Sequence, residues 1–288
     1  MTDQLQLPEG FFEELHKTAK NNCVTLVFAD SNYGDVVRNW ITHARLTGAQ
    51  NFVIIALDHK LFRELKTESV SCVQGDIPGS LNNLWRYRVF CLQAGLEFGF
   101  HVAHSDADAV WLRDPTAELL KDYKVDATFS QGTIWPTDVL ASWGFVLCCG
   151  LFGFRSTINS RRLVKRWVTE LDEDPDDQRS LNRLLLNMEI SWPNGNPRIL
   201  SFRDHDLRCF DTELIGLLNR SGASGEPPNL DQPMHIKLLP HALYQRIYEE
   251  HPSPAVRHLL SDDKTAESVK DVLLAAGCWV KELPGDNV

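Results

Sequence analysis

The sequence predicts an α/β fold: a Rossmann-like, mixed but mostly parallel central sheet flanked by helices. Three observations predict it. Apolar runs alternate with amphipathic helical stretches between residues 23 and 73, the strand–helix–strand–helix–strand pattern of a parallel sheet. A buried parallel strand reads as an unbroken apolar run, and residues 100–103 form one. That run leads into Asp106-Ala107-Asp108, and a second apolar run, 109–112, leads out. Acidic residues past the carboxyl end of a strand lie where open α/β sheets bind ligands.

The elements follow in order. Residues 23–29 are a first buried strand, and 30–34 a loop rich in turn formers. Residues 35–47 are a helix with Val36, Val37, Trp40, Ile41 and Ala44 on one face. Residues 52–57 are a strand, 60–68 a helix and 70–73 a short strand. Residues 84–98 are the helix before the acidic motif. Residues 125–130 and the strongly apolar 143–154 are strands; 159–171 and 177–188 are helices. Residues 191–233 are loop-rich, with Pro-Asn-Gly-Asn-Pro and Ser-Gly-Ala-Ser-Gly stretches. Such a segment shapes an acceptor site or is a surface insertion. Residues 268–276 are a helix ended by Gly277. The expected organisation is one domain over 1–288, with a first half at about 23–130 and a second at about 131–288.

Of the 288 residues, 43% are hydrophobic and 24% charged, a balance that fits a folded globular chain. A net charge of −10 argues against a general nucleic-acid binder and a polybasic membrane-surface protein. No apolar run approaches the ~20 residues of a transmembrane helix. Residues 1–20 are polar and acidic and lack the pattern of a signal peptide. With Met1 present, the expectation is a cytoplasmic enzyme. The seven cysteines include no Cys-x-x-Cys pair, which fits a reducing compartment and disfavours zinc.

Carboxylates are hard ligands for Mg²⁺ or Mn²⁺, ions that commonly hold substrate phosphates as well. Asp106 and Asp108 therefore read as a metal-diphosphate site at a strand end. The bland alternative is that both cap the following turn. Asp114 reads as the cap of the turn at Pro115. The loop 30–34 is no phosphate fingerprint, because Gly-x-Gly-x-x-Gly is absent.

The segment Trp85-Arg86-Tyr87-Arg88, then Gly99-Phe100, then Asp106 to Pro115 resembles the core of a known family. This is the nucleotide-diphospho-sugar transferase family of plant pectic xylosyltransferases, extensin arabinosyltransferases and a cytoplasmic galactosyltransferase of social amoebae. The resemblance covers roughly residues 24–280 and is densest at 84–182. It implies the GT-A fold, a nucleotide-sugar donor, a divalent metal and retention of anomeric configuration. It implies that Asp106, Ala107 and Asp108 meet metal and donor, and that Arg88 binds the diphosphate.

Asp177-Gln178 with Asn182 is similar to the family's Asp-Gln-x-x-x-Asn signature, whose aspartate lies beside the transferred sugar. Asp177 would serve equally as a helix N-cap, with Asp176 one position away. The family's third metal ligand is a late histidine followed by a lysine and a helix ending Gly-x-Trp. His258, with Lys264, Lys270 and Gly277-Cys278-Trp279, matches best; His235 and His251 compete. The family's His-Ala-Asn is here His258-Leu259-Leu260. Lys264 would contact a phosphate or stand solvated. Cys149 replaces a small polar residue of relatives, and a catalytic thiolate is disfavoured because no basic residue is near in sequence. Gln131 and Trp135 are candidate sugar or acceptor contacts.

The resemblance thus implies transfer of a sugar from a UDP-sugar, UDP-galactose or UDP-xylose, to a hydroxyl of a protein or glycan. Two alternatives stay open: a metal-dependent nucleotidyltransferase or sugar-nucleotide phosphatase, and a catalytically inactive fold that serves as a binding protein.

Overall fold

The computed structural model describes residues 5–75, 81–219 and 232–280. Helix α1 (Phe11–Thr18) buries Phe11 and Leu15. Strand β1 (Cys23–Ala29) ends at Asp30, whose carboxylate accepts from the amides of Asn32 and Tyr33 and so starts a 3-10 turn. Helix α2 (Gly34–Leu46) follows and buries the anticipated face, Trp40 included. Strand β2 (Phe52–Ala56) leads to Asp58, which caps α3 (His59–Thr67) by accepting from the Leu61 amide. Strand β3 (Cys72–Gln74), helix α4 (Leu81–Glu97), strand β4 (His101–Ser105) and the short strand β5 (Val110–Trp111) come next.

The second part begins with α5 (Thr116–Leu120), its first amide held by Asp114 Oδ1 at 2.9 Å. Strand β6 (Ala127–Gln131), α6 (Thr137–Trp143), β7 (Leu147–Phe154), α7 (Ile158–Glu170) and α8 (Asp177–Asn187) follow. Then come β8 (Arg198–Phe202), β9 (His205–Cys209), β10 (Leu214–Leu218) and β11 (Met234–Leu238). Two-residue strands β12 (Tyr244–Gln245) and β13 (Val256–Arg257) precede α9 (Ala266–Ala275).

Eight strands form the central sheet, in the order β10-β11-β6-β7-β4-β1-β2-β3. The run β4-β1-β2-β3 is parallel, β7 is antiparallel to both β4 and β6, and β10 is antiparallel to β11. The sheet is therefore mixed and mostly parallel, as expected of the GT-A type. From β1 the chain winds one way to β2 and β3, then returns to place β4 on the other side. The carboxyl ends of β1 and β4 thus frame a topological switch point, where the crevice of an open α/β sheet opens. Because β7 runs antiparallel, its first half reaches the same edge, with Leu151 opposite Ser105.

Two expectations are corrected. The stretch 143–154 is not all strand: Trp143 ends α6, Gly144 stops it at φ 78°, and β7 begins at Leu147. The loop expected at 191–233 contains β8, β9 and β10. The β8–β9 hairpin is largely exposed and turns on Arg203 and Asp204, both at positive φ, so neither an apolar run nor a glycine marks it. The Ser-Gly-Ala-Ser-Gly stretch lies outside the described residues. Among the described residues, no helix is long and apolar enough to cross a membrane.

Candidate active site

The acidic motif is fixed from below by two buried indoles. Trp40 Nε1 and Trp111 Nε1 both donate to Ser105 Oγ, at 3.1 and 3.2 Å. Ser105 Oγ in turn donates to the carbonyl of Asp106 at 3.1 Å. The Asp106 amide donates to Gly150 O on β7 at 2.7 Å, and the Ala109 amide closes the turn on Asp106 O at 3.0 Å. The turn that carries Asp106 and Asp108 is thereby bonded to both its flanking elements.

His258 arrives from 150 residues away through a small sheet. Strands β12, β13 and β5 pair, with Val256 opposite Trp111 and Arg257 opposite Val110. Strand β5 directly follows the acidic turn, so pairing with it carries His258 back over Asp108. The His258 amide donates to Gln245 O at 2.9 Å, and Arg246 Nη1 to His258 O at 2.6 Å. His258 Nε2 then lies 3.2 Å from Asp108 Oδ1 and 3.5 Å from Asp106 Oδ2. One ligand atom from each of Asp106, Asp108 and His258 falls within 4.8 Å of the others.

This donor set fits a divalent cation of the Mn²⁺ or Mg²⁺ kind: two hard carboxylates and one imidazole. The cradle fits as well. A Cβ on Gly150 would collide with the His258 ring and the Asp106 carboxylate, so β7 leaves this space open for their approach. The charges agree. Burial opposes ionisation of Asp106, yet Arg88, with His104 and His258, holds its carboxyl well below the usual range. Burial likewise opposes Asp108, and His258 outweighs it. Burial and Arg246 would lower His258, but Asp108 and Cys148 push it up to about 9.

Arg88, expected at the diphosphate, lies on the cavity side of α4 between two carboxylates. It is buried, with Nη1 2.7 Å from Asp106 Oδ1 and Nη2 ion-paired with Asp177 Oδ2. Both terminal nitrogens therefore meet carboxylates. Burial and Arg88 lower His104 to about 4, which leaves it neutral. Its Nδ1 lies 3.1 Å from Leu26 O and its Nε2 2.7 Å from Arg88 Nη1. Nε2 also lies 2.9 Å from Asp106 Oδ1, so a proton on Nδ1 serves the Leu26 and Arg88 contacts and one on Nε2 serves the Asp106 contact. Arg86 faces away from Arg88 and pairs with Asp172.

Asp177 is the first residue of α8, and the cap is its neighbour Asp176, which accepts from the Arg179 amide. Freed from capping, Asp177 points to Arg88, and burial pushes its carboxyl up to about 6. Gln178 ties two segments together: Nε2 donates to Trp135 O at 2.6 Å, and Oε1 accepts from the Cys149 amide at 3.1 Å. Trp135 is 42% exposed beside it. Gln131 and Asn182, expected at the donor, are instead turned into the fold. Gln131 Nε2 donates to Phe210 O at 3.0 Å. Asn182 brackets Leu147, accepting from its amide at 2.8 Å and donating to its carbonyl at 2.9 Å. A buried amide that satisfies main-chain groups is a clamp between elements.

A cavity of about 280 Å³ opens over this cluster. Phe28, Asp30 and Tyr33 form its β1 side; Leu84, Trp85 and Arg88 come from α4; Asp106, Ala107 and Asp108 form the floor. Arg246, His258 and Lys264 close it from the C-terminal segment. Lys264 Nζ lies 5.8 Å over the Trp85 ring, and the Tyr33 hydroxyl donates to Lys264 O. Asp177 reaches the cavity only through Arg88. The departure at Leu259-Leu260 falls elsewhere: both line a separate apolar cavity with Phe202, Tyr248 and Val272.

Sequence reasoning missed Arg246 and the parts that Ser105, Trp40, Trp111, Gly150 and Cys148 play in holding the site. Tryptophans in apolar runs give no sign of a shared acceptor, and Arg246 lies in no motif. Cys148 Sγ lies 3.7 Å from His258 Nδ1, a basic partner 110 positions away that no local spacing could reveal.

A sequence model of the nucleotide-diphospho-sugar transferase family matches residues 47–243, which include Arg88, the acidic motif and Asp177. Arabinosyltransferase XEG113 of Arabidopsis thaliana is 26% identical over 58% of this chain and 29% of its own length. A UDP-D-xylose:L-fucose alpha-1,3-D-xylosyltransferase of the same plant is 32% identical over 31% of this chain and 28% of its own. The chain thus spans less than a third of either relative. The solved glycosyltransferase GlyE of Streptococcus pneumoniae is 10% identical, with 89% of this chain and 64% of that one covered at a TM-score of 0.45. The match over residues 47–243 takes in more than half of the sequence, and the chain belongs to the nucleotide-diphospho-sugar transferase family.

Proposed function

We propose that the chain transfers a sugar from a UDP-sugar to a hydroxyl of a protein or glycan acceptor, with retention of configuration. UDP-galactose and UDP-xylose are the proposed donors. The single observation that carries this reading is the convergence of Asp106, Asp108 and His258 within 4.8 Å on the floor of a cavity at the sheet's switch point. Names of relatives support it: one is a UDP-D-xylose-dependent xylosyltransferase and others are arabinosyltransferases.

Asp106, Asp108 and His258 would hold Mn²⁺ or Mg²⁺, which supplies Lewis-acid stabilisation of the leaving diphosphate. The chain's own groups do the rest. Phe28, Tyr33 and Leu57 offer a surface for the base, and Asp30 lies on the ribose side. Lys264 and Arg246 add cationic donors for phosphate oxygens. Asp177, paired with Arg88, is the proposed group for the sugar end, and Arg88 favours its ionised form against burial. The attacking hydroxyl then approaches the face that UDP leaves, and a diphosphate oxygen takes its proton. A reducing compartment is part of the proposal, since all seven cysteines are free thiols.

Thermal unfolding with UDP, with and without Mn²⁺, tests it. Ligand at ~100 times its dissociation constant adds about 2.7 kcal/mol to a fold that binds it. The expected stabilisation needs UDP and Mn²⁺ together and is lost in Asp108→Ala. No shift with UDP, GDP or CDP overturns the reading in favour of an inactive fold.

A further inference from the structure

We propose that Cys148 is a positioning residue for His258: its sulfur holds the far imidazole nitrogen, so that Nε2 faces Asp106 and Asp108. The inference rests on the metal-dependent reading above.

The two nitrogens of His258 have different partners. Nε2 lies against the carboxylates, at 3.2 Å from Asp108 and 3.5 Å from Asp106. Nδ1 lies 3.7 Å from Cys148 Sγ, within hydrogen-bond reach of sulfur. Both residues are buried, Cys148 at 1% and His258 at 4% exposure. An imidazole binds a cation through the nitrogen that carries no proton. With Nε2 committed to the cation, the proton sits on Nδ1 and is donated to Cys148 Sγ. Rotation about the terminal bond of histidine is soft. Without a partner on Nδ1, the orientation of the ring rests on its Nε2 contacts alone.

Cys148 is itself fixed. It stands on β7 opposite Ser130, and the Gly150 amide donates to its sulfur at 3.4 Å. Across a register shift in the β6–β7 pairing, residues 148 and 150 both meet the His258 ring. Strand β7 therefore serves His258 twice: Gly150 leaves room for the ring, and Cys148 grips its far side. Cys149 cannot substitute, because it points to the other face, with Sγ 3.8 Å from Asp177 O. The usual partner of a metal-bound histidine is a carboxylate, a carbonyl or water. Here a thiol takes that position. The sulfur is not among the three ligand atoms that converge, so it acts through His258.

The test is calorimetric titration of the full chain with Mn²⁺, in the wild type and in Cys148→Ala, Cys148→Ser and His258→Ala. Removal of such an outer partner typically weakens metal binding by about 10- to 100-fold. Cys148→Ala is expected to fall in that range, and Cys148→Ser, whose hydroxyl also accepts, to recover most of the affinity. Wild-type affinity in Cys148→Ala, with His258→Ala impaired, overturns the positioning role and leaves the metal reading standing. Wild-type affinity in His258→Ala as well overturns both. Co²⁺ in place of Mn²⁺ is expected to give no sulfur-to-metal charge-transfer band; a band lost in Cys148→Ser makes Cys148 a ligand and overturns the proposal. Should Cys148→Ala fail to fold, nitrogen NMR of the Mg²⁺-loaded wild type decides: a proton on His258 Nδ1 is expected, and one on Nε2 sinks the idea.

Discussion

Arg88 joins Asp106 to Asp177, with one guanidinium nitrogen 2.7 Å from Asp106 and the other ion-paired with Asp177. The acidic turn after β4 and the first turn of α8 are thereby tied through a single side chain. A planar fork with several fixed donors can bridge two carboxylates; an ammonium cannot do so in the same geometry.

Removal of that bridge leaves Asp177 buried and unpaired, and Asp106 without its main cation. Breaking one side of a buried pair costs roughly 3–5 kcal/mol. Asp106 is 35% exposed, so the lower end applies. Arg88→Ala is expected to lose about 3 kcal/mol in urea unfolding and all measurable transfer. Arg88→Lys should recover part of the stability and little of the transfer. Wild-type stability in Arg88→Ala would show that the bridge carries nothing.

Asp177 sets a pH dependence. Burial raises its carboxyl to about 6 against the pull of Arg88. The group therefore loses its proton as pH rises through about 6. Transfer that needs the carboxylate should rise over the same interval, and Asp177→Asn should be slow with that acid limb flattened. Stability takes the opposite sign. The native chain holds this proton more tightly than the unfolded one, so the Asp177 contribution is full below about 4 and lost as pH rises through about 6. An acid limb identical in wild type and Asp177→Asn would remove Asp177 from the chemistry.

Gly150 gives a cleaner probe of the cation site. Its φ is ordinary, so alanine strains no backbone there, yet the added methyl collides with His258 and Asp106. Gly150→Ala should keep its far-ultraviolet spectrum and lose Mn²⁺ affinity by at least about tenfold, on the scale of outer-partner losses. Unchanged titration would mean that the ligands part without cost.

These probes differ in how far the sequence announced them. Strands β1 and β2 are legible because burial on both faces makes them near-continuous apolar runs, while β4, with His101, His104 and Ser105, is marked chiefly by the acidic motif that follows it. Asp106 and Asp108 are legible because they interrupt such a run at its carboxyl end. His258 was placed by resemblance, whereas the β12-β13-β5 sheet that delivers it is built from two-residue strands too short to carry a period. Gln131 and Asn182 show the converse problem. A polar residue in an apolar segment signals either ligand contact or a buried clamp. The deciding partners of Gln131 are carbonyls 79 and 108 positions away.

Asn182 follows as a test of that distinction. Its amide satisfies both main-chain groups of Leu147 where β7 begins. Asn182→Ala orphans a buried amide and a buried carbonyl, at about 1–3 kcal/mol each. The expected result is a lower melting temperature with UDP affinity unchanged. Loss of UDP affinity at full stability would return Asn182 to the donor site.

Ser105 makes the same argument for the acidic turn itself. Its hydroxyl accepts from the indoles of Trp40 and Trp111 while it donates to Asp106 O. Alanine there strands two buried N–H donors that no water can reach, since both tryptophans are at most 1% exposed. At about 1 kcal/mol or more for each orphan, Ser105→Ala should lose roughly 2–4 kcal/mol. That is a fall of several degrees in melting temperature for a chain of this size, at roughly 2–4 °C per kcal/mol. Cys at 105, a weak acceptor of similar shape, should lie between alanine and serine. Because the same hydroxyl steadies the Asp106 carbonyl, Mn²⁺ affinity should fall in the same order. A variant series in which stability drops while Mn²⁺ affinity holds would confine Ser105 to the core and separate the indole clamp from the site above it.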